Sequence, residues 1–96
     1  MGAVTERLEA KLRQAFSPQR LEIDDQSARH AGHEGAREGG ESHFHVTIEA
    51  AAFAGKGRLE RERLVHRALA EELAGPIHAL SVTARAPGEG AVPRAG

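Results

Sequence analysis

The chain has no cysteine, no tryptophan and no tyrosine. Without a thiol it can form neither a disulfide nor a thiolate nucleophile, and it cannot by itself build a Cys-ligated zinc or iron–sulfur site. That usage fits a reducing compartment. With three Phe in place of any larger aromatic, its core has to come from Leu, Val, Ile and Ala. Long hydrophobic runs are missing too: none approaches the ~20 residues of a membrane span. The opening Met-Gly-Ala-Val-Thr-Glu lacks the basic-then-apolar layout of a signal peptide. It also misses the myristoylation pattern, because Glu6 stands where Ser or Thr is needed. A cytoplasmic protein without a membrane role is the expectation. Charge of one sign is scarce as well, the net being −1. Residues 1–50 carry six Lys/Arg against nine Asp/Glu, and residues 51–96 carry seven against five. An asymmetry that mild permits nucleic-acid contact without arguing for it.

What is present reads as one small domain. Ninety-six residues suffice for a single modest core, and 40% hydrophobic with 28% charged residues is ordinary for a globular chain. Val4, Leu8, Leu12 and Phe16 recur every four residues, the stripe of an amphipathic helix that Ser17-Pro18 stops. Leu21 and Ile23 alternate with Glu22 and Asp24 as a short strand. Residues 25–41 hold four glycines and almost nothing apolar, which predicts a long loop. Phe44, Val46 and Ile48 alternate with polar residues in the clearest strand. A helix is expected over Arg58–Ala74 on the stripe Val65, Leu69, Leu73, ended by Gly75-Pro76. A strand follows over Ile77–Arg85. The order is α-β-β-α-β, an α+β fold with helices on one face of a three-stranded sheet and the last strand returning parallel to an earlier one. The domain is placed at 1–86, with a Gly/Pro/Ala-rich tail over 87–96.

The histidines are unevenly spread. "SARHAGHEGAREGGESHFH", residues 27–45, contains four of the six. His43 and His45, two apart on the outward face of a strand, could chelate an ion weakly, but such residues are more often ordinary polar-face side chains. His78 stands at the mouth of the last strand, in phase with Leu80 and Val82. From spacing alone a partly buried, satisfied side chain is the commoner outcome for it. His66 is placed at the edge of the buried helix stripe. An enzyme is not expected. No Ser has a nucleophile's setting, Asp24 and Asp25 point to opposite sides of a strand, and nothing around His30 and Glu34 suggests a substrate pocket.

Taken together, "LEIDDQSARHAGH", "ESHFHVTI" and "AFAGKGRLERERLVHRALAEELAGPIHAL" resemble the BolA family over about Thr5 to Thr83. The specific parts are Ser42-His43-Phe44, the Phe53-x-Gly-Lys turn, the Arg63-Leu-Val…Ala-Leu-Ala-Glu-Glu-Leu helix and Pro76-Ile77-His78-Ala79-Leu80. The resemblance implies a fold related to type II KH domains, with an extra short helical turn near residues 51–55. It implies pairing with a monothiol glutaredoxin to share a [2Fe–2S] cluster, in iron–sulfur maturation or iron-linked regulation. His78 matches the family's cluster-ligating histidine. The loop ligand, Cys or His in the family, matches His30, with His33 in reserve. The chain departs from the family at Arg61-Glu62-Arg63, where Arg-His-Arg is usual, and after Thr83.

A [2Fe–2S] cluster takes four ligands, and this chain offers only imidazoles, so the partner's cysteine and a glutathione thiol have to supply the rest. Imidazole ligates when neutral, so assembly should weaken as pH falls below about 6.5. Isolated, the chain should hold no cofactor and be colourless. Whether it forms a weak homodimer stays open.

Some family members bind DNA as transcriptional regulators, which is the alternative reading. Lys56, Arg58, Arg61, Arg63 and Arg67 would then form a basic strip at the start of the long helix. Against it, the turn Gly55-Lys56-Gly57 spaces its glycines two apart instead of the three of a KH Gly-x-x-Gly loop, and no aromatic platform for bases accompanies it. A solvated helix face explains the same charges.

Overall fold

A computed structural model describes residues 2–26 and 42–89. Helix α1, Ala3–Phe16, turns Leu8 and Leu12 inward, where both are fully buried. It ends where Ser17 adopts a left-handed conformation (φ 46°) and returns its N–H to Arg13 O at 2.9 Å, just before Pro18. Strand β1, Arg20–Asp25, pairs antiparallel with β2, His43–Glu49, placing Leu21 opposite Ile48 and Ile23 opposite Val46. Strand β3, Ala79–Arg85, lies parallel to β2 on its other side, with Phe44 opposite Leu80 and Val46 opposite Val82. β2 is therefore central. Its period of two sends Phe44, Val46 and Ile48 into the core and His43, His45, Thr47 and Glu49 to the open face.

A parallel return needs a long crossover, and the segment between β2 and β3 supplies it. It opens with a 3₁₀ turn, Ala51–Phe53, matching the extra turn expected there. Phe53 is fully buried, its ring centroid 5.0 Å from that of Phe16. The chain then reverses through Ala54 (φ −63°, ψ 136°) and Gly55 (φ 77°), with Lys56 N–H on Phe53 O at 3.2 Å. This is a type II turn, and its third position asks for glycine. That is the physical content of the Phe-x-Gly-Lys motif.

The periodicity predicts one helix over Arg58–Ala74, and here the structure differs. Helix α2 covers Arg58–Ala68 and α3 covers Ala70–Ala74, separated by Leu69 at φ −109°, ψ 23°. The Leu69 N–H is shared between Val65 O (3.1 Å) and His66 O (3.2 Å), the tightening usual at a helix end. Leu69 stays fully buried, and the break brings Glu72 against α1. Glu72 is itself fully buried. Arg7 and Lys11 reach it at 2.9 Å each, and Lys11 also meets Glu71 at 2.6 Å. Burial pushes the Glu72 carboxyl up, but the Lys11 hydrogen bond and the charges of Lys11 and Arg7 outweigh it and hold it below its ordinary value.

Two boundaries shift. The last strand begins at Ala79 rather than Ile77, because the Ile77 N–H is taken by Glu72 O at 3.0 Å, outside the ladder. Residues 87–89, assigned to the tail from sequence, form a turn tied back to the domain through Glu89. Among the described residues, no helix is long and apolar enough to cross a membrane.

Candidate functional site

The two ends of β3 carry the polar groups that matter. At its start, Ser42 is buried and its carbonyl accepts two hydrogen bonds, from His78 N–H at 2.7 Å and Ala79 N–H at 3.2 Å. The backbone of His78 is thus pinned to the residue before β2, while its side chain is exposed. Spacing alone favours a partly buried His78; the structure turns it out because it precedes the ladder instead of belonging to its inward-facing phase. The Ser42 hydroxyl lies 2.9 Å from His43 Nδ1. The His43 ring stands beside that of His78, with centroids 6.2 Å apart and planes within 12° of parallel. One residue of the motif, Ser42, therefore holds the backbone of His78, 36 positions on, and its neighbour His43 flanks the His78 side chain.

The other histidines have different roles. Both ring nitrogens of His45 are engaged by hydroxyls of β3, Nδ1 with Ser81 Oγ at 2.6 Å and Nε2 with Thr83 Oγ1 at 3.1 Å. His45 is a cross-strand tie on the open face, not one half of a chelate with His43. His66 is exposed, so its placement at the edge of the buried stripe is corrected: Val65 takes the inward position. His30 and His33 lie outside the described residues. Among the described residues, no three or more His, Asp or Glu side chains gather as a metal site.

At the far end of β3, two residues of the basic strip, Arg58 and Arg61, are paired within the fold. Arg61, expected as a nucleic-acid contact, has a side chain only 13% exposed. It donates to Lys56 O at 2.8 Å and Ala84 O at 3.0 Å, and makes a two-point pair with Glu89 at 2.7 and 3.0 Å. Glu89 also accepts the Ala86 N–H at 3.0 Å. The Arg61 guanidinium, and then that backbone N–H, hold the Glu89 carboxyl well below its ordinary range, at about 2. Arg58 pairs with Glu62 one turn on, at 3.2 Å. Lys56, Arg58, Arg61, Arg85 and Glu89 line an open groove of about 480 Å³ between α2 and β3. Arg63 and Arg67 are exposed on the outer face of α2, beside Leu59.

Sequence reasoning missed the double use of the Ser42 carbonyl and the Arg61–Glu89 pair. Ser42 was visible as a motif residue, though not as a backbone acceptor. Glu89 follows the last strand in a Gly/Pro-rich stretch and carried no signal at all.

Comparison with known proteins identifies the family and the fold. The profile of the BolA-like protein family matches residues 12–89. BolA-like protein 1 of Mus musculus is 46% identical over 88 residues, covering 92% of this chain and 61% of the mouse protein. The chain thus spans about three fifths of the length of that mammalian relative. The DNA-binding transcriptional regulator BolA of Escherichia coli is 43% identical over 79 residues, covering 82% of this chain and 71% of the regulator. Among solved structures, the BolA domain of SufE1 from Arabidopsis thaliana superposes with a TM-score of 0.82 at 39% identity, covering 93% of this chain and 98% of that domain.

Proposed function

The chain belongs to the BolA family, and on that premise we propose that it is an adaptor that pairs with a monothiol glutaredoxin and shares a [2Fe–2S] cluster with it. The observation that carries the reading is His78: an exposed imidazole on a backbone fixed by Ser42, in a chain without a thiol. His78 is the ligand from the folded body. The second imidazole falls to the loop, His30 first and His33 in reserve. The remaining ligands are thiolates from the partner's cysteine and from glutathione. Such a cluster supplies one-electron chemistry and a transferable iron–sulfide unit. Replacing thiolate by neutral imidazole on one iron removes negative charge and raises the reduction potential.

The test is reconstitution of the chain with a monothiol glutaredoxin, glutathione, iron and sulfide. The expected product is a coloured heterodimer whose visible circular dichroism differs from that of the glutaredoxin homodimer. His78→Ala should remove that difference. If the triple variant His30→Ala, His33→Ala, His78→Ala gives an unchanged heterodimer spectrum, histidine ligation is wrong.

DNA-linked transcriptional regulation is the second reading, favoured by the name of the Escherichia coli relative and by Lys56, Arg58 and Arg85 in the groove between α2 and β3, which Glu62 and Glu89 also line. Arg61 is held by Glu89 and two carbonyls, so phosphate contacts would fall to Lys56, Arg58, Arg63 and Arg67. DNA affinity built on so few cations should fall steeply between low and physiological salt. A sequence-specific remainder at physiological salt, lost in Arg63→Ala with Arg67→Ala, would favour this reading over the first.

A further inference from the structure

We propose that His43, set by Ser42, is a positioning residue for the imidazole of His78. The inference rests on the reading of His78 as a ligand and adds the device that aims it. An exposed histidine on a fixed backbone still has three staggered wells at its first side-chain torsion. Backbone hydrogen bonds to Ser42 do not choose among them. The neighbouring ring does. His43 stands opposite Ala79 in the β2–β3 register, one residue from His78, so its side chain rises from the sheet directly alongside. Its own rotation is restrained by the 2.9 Å contact between Nδ1 and the Ser42 hydroxyl. The near-parallel rings, 6.2 Å apart, lie within the range over which aromatic faces order one another.

The elements converge on this point from three directions. Gln26, just past β1, donates its N–H to the His43 carbonyl at 2.7 Å. The Glu72 carbonyl accepts the N–H groups of Gly75 (3.1 Å) and Ile77 (3.0 Å), fixing the turn that delivers His78. Ser42 closes the arrangement with its carbonyl on one side and its hydroxyl on the other. The Ser-His-Phe motif then has a division of labour. Phe44 anchors the strand in the core, Ser42 holds the His78 backbone, and His43 holds its ring.

Pre-ordering one side chain corresponds to about a three- to tenfold gain in binding. The experiment has two arms. In the metal-free chain, side-chain coupling constants of His78 measured by NMR should report one dominant rotamer, averaged in His43→Ala and restored in His43→Phe, which keeps a ring face. In the reconstituted heterodimer, His43→Ala should weaken cluster-dependent association about three- to tenfold and shift the visible circular dichroism, while its thermal midpoint stays near that of the parent and His43→Phe recovers most of the effect. An averaged His78 in the parent chain, or a rotamer that ignores His43→Ala, overturns the positioning role. If His78→Ala leaves the heterodimer spectrum unaltered while the rotamer dependence holds, the ligand reading fails and the ring-to-ring ordering stands.

Discussion

The two ends of β3 both gather ring or guanidinium nitrogens with carbonyls and hydroxyls, yet they do opposite things with them. At the far end, Arg61 donates to two backbone carbonyls and to Glu89, and the side chain is almost enclosed. At the near end the backbone of His78 is as firmly tied, but the imidazole points outward. A polar group whose bonds close within the fold is structure. One whose backbone is fixed while its side chain faces solvent can be approached from outside the fold. Composition does not distinguish the two, since both ends draw on residue types that bind nucleic acid or metal elsewhere. Geometry does.

That contrast can be broken, and the largest effect should come from the closed end. Arg61→Ala leaves the carbonyls of Lys56 and Ala84 without their donor and releases the 86–89 turn. It should cost about 1–3 kcal/mol in urea-induced unfolding. A cost near zero would mean that Arg61 is a surface cation after all, returning it to the basic strip.

A smaller effect should appear in acid. The Glu89 carboxyl is held at about 2 in the folded chain against an ordinary value of 4.5. A depressed value stabilises the fold above about 4.5 and loses that contribution as pH falls from there toward about 2. Glu89→Gln should therefore lower the melting temperature at neutral pH and flatten its fall over that window, the two proteins converging as the pH approaches about 2. Glu72, also held below its ordinary value, leaves a residual decline in both proteins.

The smallest change is expected at the open end. His78→Ala should alter stability by no more than about 0.5 kcal/mol, because the Ser42 carbonyl binds the backbone N–H, which alanine retains. A large loss there would show that the exposed ring supports the fold and would weaken its standing as a ligand.

Much of the framework was legible in the residues because it depends on local period. The stripe of Leu8 and Leu12, the alternation of Phe44, Val46 and Ile48, and the glycine demanded after Phe53-Ala54 each follow from helix, strand and turn geometry within a few positions. The break at Leu69 was not legible, since the apolar stripe continues through it and only the meeting of Glu72 with Arg7 and Lys11 gives it a purpose. The site was legible in part. His78 and Ser42-His43 could be picked out by resemblance, but not the link between them. His45, read as an ordinary polar-face side chain, is tied through both of its nitrogens to Ser81 and Thr83, a cross-strand link that spacing did not reveal.

By itself, the sequence determined the kind of chemistry open to this protein and the order of its elements. A chain with six histidines and no cysteine has imidazole and carboxylate, but no thiolate, to offer a metal ion, and local hydrophobic period places most of its helices and strands. Only the tertiary structure decided which polar residues are available. The parallel pairing of β2 with β3 brings residues 42 and 43 to residue 78, and the return of residues 86–89 brings Glu89 to Arg61. Hydrogen bonds between groups dozens of positions apart depend on strand register and chain reversal, and no local pattern encodes those.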